Sequence, residues 1–390
     1  MAEQQLKILH LITHLGIGGA QDNTLLTVEK HDRQRYCVHL AANPTGQWKQ
    51  RAQTVADTFH PLPNLVVPIH PLQDLITLFS LVKLLRREKF DLVHTHSSKA
   101  GILGRWAAKI AGVPHIVHTI HGFAFHDFMA SWKRQLYINL EQITRGCTNF
   151  FITVSELNRQ EAQSLGLLDL EHSQTVYSGI EFKNLNKQFD DDRTRQHLGI
   201  PPNWQVVVMV GRLDAQKAPH YLIEAFAIAV QTHPQTLLLL VGDGELKPQL
   251  EQQVARLGLT SQVRFLGFRE DVPDIVNMAN IFALSSLWEG LGRAMTEAML
   301  LGKPVVVPAI YGIPEIVHHQ ETGLLFPAGN IQQLAEQLIY LLQSSTEQAR
   351  LGQNAQRLTR ELFDADHMVQ QIEAIYQRLL QSPQLATHVN

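Results

Sequence analysis

Two glutamates, Glu289 and Glu297, stand with seven residues between them in "SSLWEGLGRAMTEAMLLGKPVVVPAIYGIPEIV" (285–317). A helix starting near Gly292 would aim its unpaired backbone N–H groups back at Gly290 and Leu291, and such an end attracts phosphate. Carboxylates repel phosphate but accept paired hydrogen bonds from a diol. Phosphate on the backbone and hydroxyls on two carboxylates together describe a nucleotide sugar. The basic complement lies earlier, in "VGRLDAQKAPHYLIEAF" (210–226), where Arg212 and Lys217 occupy the turn after a strand. Two cations at a strand's C-terminal end can hold a diphosphate and stabilise it as it departs. The same spacings also fit solvated side chains, because exposed Glu, Arg and Lys are common.

Other stretches carry weaker signals. "HLGIGGAQDNTLL" (14–26) puts Gly16, Gly18 and Gly19 in a strand-to-helix turn, where the backbone can approach a phosphate or a sugar. A dinucleotide fingerprint needs an acid about 20 positions later to hold a ribose. "YCVHLAANPTG" (36–46) offers none, which disfavours nicotinamide chemistry. Six histidines cluster at His94, His96, His115, His118, His121 and His126. His94 and His96 alternate on a strand and point the same way, but no carboxylate or cysteine ligand pattern accompanies them, so a metal is not expected. His121, in "TIHGF" (119–123), follows a strand and reads either as a structural histidine or as a site residue. "DLITLFSLVKLLRRE" (74–88) has the apolar run and basic end of a membrane-surface helix. Between two strands it reads instead as a core-facing helix.

The elements that must position these residues alternate along the chain. Apolar runs at 6–12, 36–42, 65–69, 91–96, 115–121, 150–155 and 174–179 are separated by amphipathic stretches. After the polar segment 184–204, with its Pro201–Pro202 pair, the pattern restarts at 206–211, 236–244, 263–268, 281–286 and 304–309. Alternating strands and helices predict parallel sheets covered on both faces. The expected organisation is an acceptor-side Rossmann-like domain (1–190), a nucleotide-sugar-binding one (191–365), and a C-terminal helix and tail (366–390) returning to the first. Two such sheets would bind ligand at the C-terminal ends of their strands, in a central cleft.

Totals set outer bounds. A net charge of −3 supplies no basic field for nucleic acid, and two cysteines are too few for a disulfide framework. No apolar run nears the roughly 20 residues of a membrane-spanning helix, and the start lacks a secretory pattern. The expected location is cytoplasmic, with peripheral contact at the inner membrane face left open.

Taken together, "GIGGAQ", "HG" (121–122), "VS" (154–155), "VGRLDAQK", "VGDGE" (241–245), "FLGF" and the glutamate stretch resemble the retaining GT-B glycosyltransferases of family 4, over about residues 6–330. The resemblance implies a sugar moved from a nucleoside diphosphate donor, UDP-linked in many members, to an acceptor hydroxyl with retention of configuration and without a metal cofactor. Under it, Glu297 holds the ribose and Glu289 the donor sugar, with backbone contacts from Gly290, Leu291, Gly292 and Arg293. Arg212 and Lys217 grip the diphosphate, Gly18 and Gly19 face the phosphates, His121 lies near the transferred sugar, and Phe268 meets the base.

The stretch 94–128 looks like transferases that build capsular, exopolysaccharide or O-antigen units on polyprenyl-diphosphate carriers. Departures are Leu291 for the frequent Phe, Ser178 and Glu181 for Asn and Asp, and Tyr311 where a second glycine is usual. The last of these bears on the geometry of its loop. Alternative readings are a nucleotide-sugar 2-epimerase of the same fold, which needs no acceptor, a catalytically silent sugar- or nucleotide-binding module, and glycogen-phosphorylase-like chemistry, which would need pyridoxal phosphate on a lysine.

Overall fold

The computed structural model describes residues 5–126 and 128–381. Its first unit runs to Ile180 and resumes at Phe363; the second spans Glu181–Leu362. The sequence reading put these divisions at 190/191 and 365/366.

In the first unit the order is β1 (Leu6–Leu11), α1 (Gly19–Lys30), β2 (Tyr36–Ala42), α2 (Lys49–Val55), β3 (Thr58–Pro61), α3 (Pro71–Glu88) and β4 (Leu92–His96). It continues with α4 (Ser98–Ala111), β5 (His115–Ile120), α5 (Ser131–Arg145), β6 (Phe150–Thr153), α6 (Glu156–Ser164) and β7 (Ser173–Thr175). The second unit holds α7 (Asp191–His197), β8 (Gln205–Val210), α8 (Pro219–Thr232), β9 (Thr236–Val241), α9 (Lys247–Arg256) and β10 (Val263–Gly267). It then adds α10 (Val272–Met278), β11 (Ile281–Ala283), α11 (Arg293–Leu300), β12 (Val305–Pro308), β13 (Leu324–Phe326), α12 (Ile331–Leu342) and α13 (Ser345–Leu362). The last helix, α14 (Ala365–Gln381), belongs to the first unit.

Both sheets are parallel throughout, ordered β3-β2-β1-β4-β5-β6-β7 and β10-β9-β8-β11-β12-β13. The chain reverses its direction of winding between β1 and β4, and again between β8 and β11. In such sheets ligands bind at these switch points, outside the strands' carboxyl ends.

Period-two alternation divides the first core. Ile8, Val38, Leu40 and Leu92 face one cluster, while Leu9, Leu11, Ala41 and Val93 face the other. Helix α14 closes the former cluster with Met368, Ile372, Ile375, Tyr376 and Leu379, a spacing that keeps one helical stripe apolar. Its start is admitted by Gly179, where a Cβ would lie 2.6 Å from the Ala365 Cα. The central strands β8 and β9 of the second unit are buried on both faces along most of their length, as "VVVMV" and "TLLLLV" require.

Two sequence expectations are corrected and a third is refined. The third strand is Thr58–Pro61, a short edge strand; the 65–69 run, interrupted by Pro68, is a connection with Leu65 buried and Val67 exposed. The polar segment 184–204 contains the helix α7. Helix α3 does pack on the core, as expected, through Leu81, Leu84 and Leu85 with Leu78 and Val82 against the same cluster, but Leu72, Leu75, Ile76 and Phe79 are exposed.

Candidate active site

At the β8/β11 switch point two loops are sewn together. The Gln216 carbonyl accepts from the Leu287 N–H at 2.8 Å, and the Gln216 amide donates to the Trp288 carbonyl at 3.0 Å. Ser285 Oγ donates to the Ala218 carbonyl at 2.9 Å. The β9 loop crowds the same place: a Cβ on Gly242 would lie 2.0 Å from the Gly211 carbonyl oxygen, so only glycine lets the "GDG" turn lie against the "GRL" turn.

This sewing brings Lys217 to Glu289. The ammonium contacts Glu289 Oε1, which also accepts from Ser286 Oγ at 2.8 Å. The two side chains are 15% and 7% exposed, so the pair is largely shielded from water. Arg212 is more open, paired with Asp214 at 3.0 Å and donating to Gln216 at 2.8 Å. Asp214 in turn accepts from the Lys217 N–H at 3.0 Å, fixing the turn that carries both cations.

Beside this pair, α11 begins. Gly292 precedes it in the left-handed region, φ 87°, which lets the chain swing from the loop into the helix. Buried Leu291 anchors the turn, and the N–H groups of the first helical turn have no intrahelical partners, which favours negative charge at this end. One turn along, Arg293 Nε donates to Glu297 Oε1 at 3.0 Å. Glu297 borders an open pocket of about 230 Å³ whose walls include Val210, Val272, Val276 and Ala294. Phe268 follows Gly267 (φ 65°) and is 62% exposed. Tyr311 takes φ 45° despite its side chain, at about 1–2 kcal/mol. Gly312 N–H then reaches the Gly290 carbonyl at 3.3 Å, so a non-glycine residue still yields a loop tied to the site.

The remaining expected residues lie in the first unit. Gly18 caps α1 with extended backbone, and Gly19 opens that helix. His121 lines a different pocket, of about 450 Å³, with Ser97, Phe123, Tyr137 and Glu141. Its Nε2 meets His96 Nδ1 at 3.0 Å, and burial pulls its pKa down to about 4. His94 and His96 do stand side by side, ring centroids 4.2 Å apart. Ring nitrogens of His10, His94 and His96 lie within 4.8 Å of one another, a spacing that could surround a cation. Each ring is hydrogen-bonded through both nitrogens: His10 to His96 and His31, His94 to Tyr376 and Thr119, His96 to His10 and His121.

Sequence reasoning missed Asp214, Gln216 and Ser286, which position the cations and Glu289. The "DAQK" stretch held the first two; Asp214 holds its own loop, whereas the Gln216 amide finds its partner, the Trp288 carbonyl, 72 residues away along the chain.

Comparison with known proteins follows this geometry. Residues 190–358 match the family "Glycosyl transferases group 1", and residues 18–176 match the "Glycosyl transferase 4-like domain". The chain is 32% identical over 339 residues to the Escherichia coli UDP-Gal:alpha-D-GlcNAc-diphosphoundecaprenol alpha-1,3-galactosyltransferase, covering 86% of this chain and 87% of that one. It is 24% identical over 380 residues to the capsular polysaccharide biosynthesis glycosyltransferase CapM of Staphylococcus aureus, covering 96% and 97%. Among solved structures, Anabaena HepE in complex with UDP and glucose superposes with a TM-score of 0.83 at 28% identity, over 96% of this chain and 100% of that one. Two parallel α/β units, a switch-point site and these likenesses agree: the chain belongs to the group 1 glycosyltransferases and has the GT-B fold.

Proposed function

We propose that the protein transfers a hexose from a UDP-sugar to the hydroxyl of a polyprenyl-diphosphate-linked sugar, with retention, in the assembly of a surface polysaccharide or glycolipid. The observation that carries this reading is the Lys217–Glu289 pair under the start of α11, with Arg293 and Glu297 one turn on. The relatives support the substrate class: one is named for UDP-Gal and a diphosphoundecaprenol acceptor, and HepE was crystallised with UDP-glucose.

In this mechanism the ribose hydroxyls donate to Glu297, and the diphosphate accepts from the α11 N-terminus, Arg212 and Lys217. Glu289 accepts from the sugar hydroxyls, and Phe268 meets the base. Gly18, Gly19 and His121 contribute from the first unit. The acceptor oxygen bonds to the anomeric carbon on the face from which the phosphate leaves. The C–O bond to phosphate breaks, and the departing oxygen takes the acceptor's proton. Arg212 and Lys217 offset the charge that develops there, so no metal is required.

Helix α3 supports peripheral contact with the inner membrane face. Leu72, Leu75, Ile76 and Phe79 are exposed ahead of the basic Lys83, Arg86 and Arg87. Among the described residues no helix is long and apolar enough to cross a membrane.

The test is thermal shift against UDP-, GDP-, ADP- and TDP-sugars in chelator, followed by product analysis with and without a polyprenyl-linked acceptor. A UDP-selective shift and an acceptor-dependent product retaining its anomeric configuration are expected. An epimerised nucleotide sugar formed without acceptor, or no turnover, overturns the reading.

A further inference from the structure

Beyond the donor site, one continuous chain of buried polar groups runs through the first unit and ends at His121. Glu373 Oε1, on α14, meets His31 Nδ1 at 2.9 Å, and His31 Nε2 meets His10 Nε2 at 3.0 Å. His10 Nδ1, on β1, meets His96 Nε2, on β4, at 3.0 Å; His96 Nδ1 meets His121 Nε2 at 3.0 Å. His10, His31 and His96 are almost fully buried.

A neutral imidazole carries one N–H and one lone pair. Linked rings therefore cannot choose their protons independently: the direction of one bond dictates the next. Burial pushes the pKa values of all four rings down, so the chain is made of neutral imidazoles. At its far end, Glu373 Oε1 also accepts from the Asp32 N–H at 2.9 Å, which marks that oxygen as the acceptor terminus. His94, held between Tyr376 and Thr119, packs its ring against His10 and His96 and leaves the chain no side exit.

We infer that Glu373 sets the tautomer of His121 through three intervening histidines. His31 donates from Nδ1 to Glu373, His10 donates from Nε2 to His31, His96 donates from Nε2 to His10, and His121 donates from Nε2 to His96. His121 Nδ1, which has no hydrogen-bond partner among the described residues, is then an obligate acceptor. It takes a hydrogen bond from a hydroxyl and gives none to an ether or carbonyl oxygen. The consequence for catalysis rests on the proposed place of His121 beside the transferred sugar; the tautomer itself does not. Glu373, His31, His10 and His96 are positioning residues, acting only through His121.

The test is long-range proton–nitrogen NMR of the full chain labelled at the imidazole nitrogens, near neutral pH. His121 is assigned by the resonances lost in His121→Asn. A protonated Nε2 and a bare Nδ1 are expected for His121 in the parent. His10→Phe, which cuts the chain, and Glu373→Met, which removes its terminus near the surface, should each pull the two nitrogen shifts toward one another. A parent His121 protonated at Nδ1, or shifts unchanged in whichever variant folds, would overturn the inference. If the tautomer responds as expected but His121→Asn turns over UDP-glucose like the parent, the relay stands and the placement of His121 beside the sugar is wrong.

Discussion

Replacing Lys217 by Met keeps the aliphatic stem and removes the charge, leaving Glu289 with Ser286 as its remaining polar partner of the two on Oε1. Removing one member of a fully buried ion pair costs about 3–5 kcal/mol, whereas an exposed pair is worth about 0–1 kcal/mol. With side-chain exposures of 15% and 7%, this pair lies nearer the buried limit, and water reaching the ammonium lowers the figure. The expected loss is about 2 kcal/mol, read as a lower urea midpoint with unchanged slope. Lys217→Met/Glu289→Gln, which leaves no bare charge, should recover about half of it. Turnover behaves differently: both Lys217→Met and the double variant should lose roughly 10- to 1,000-fold, because the diphosphate loses its cation in each. If the two single substitutions add in the double variant, the pair is not coupled. If Lys217→Met keeps full turnover at saturating donor, Lys217 does not stabilise the leaving group.

Glu297→Gln should reduce the thermal shift given by UDP while leaving the unliganded transition near the parent's; an undiminished UDP shift would remove Glu297 from the nucleotide site. Gly292→Ala meets its nearest neighbours at 3.7 Å and so pays only for its φ of 87°, about 1 kcal/mol of stability. Gly242→Ala would drive its Cβ to 2.0 Å from the Gly211 oxygen and should cost more, about 3 kcal/mol, so equal urea midpoints would refute the close-packing argument. The buried histidines make the first unit acid-sensitive. His39 and His121 titrate at about 4 when folded, against 6.5 for the unfolded imidazole. Between those values the unfolded chain binds more protons, so each such group lowers stability as pH falls from 6.5 to 4, by up to about 1.4 kcal/mol per pH unit. Denaturation midpoints at pH 7.5 and 5.5 check this, and a flat profile would contradict it.

Much of the fold was legible because parallel strands buried on both faces leave continuous apolar runs, as at 206–210 and 236–241. The edge strand Thr58–Pro61 left no such run, and Val66–Val67 imitated one while belonging to a connection. Helix α3 carries leucine or another apolar residue on every side of its first four turns, and only its packing separates the buried Leu81 and Leu85 from the exposed Leu72 and Phe79. At the candidate site, Lys217 and Glu289 stand out from their loops in the sequence, and the fold brings the two into contact. The histidine chain could not, since His10, His31, His96 and Glu373 come together only because α14 returns to the first sheet.

That return also dictates an order of events during synthesis. The second unit, Glu181–Leu362, is continuous in the chain and has all its strands and helices before Phe363 emerges. The first unit, though made earlier, must wait: until α14 follows, Ile8, Val38 and Leu92 lack the apolar stripe that covers them, and His94 and His31 lack Tyr376 and Glu373. The domain translated first is therefore the domain finished last, and its unsealed sheet is the surface that a nascent-chain chaperone would meet.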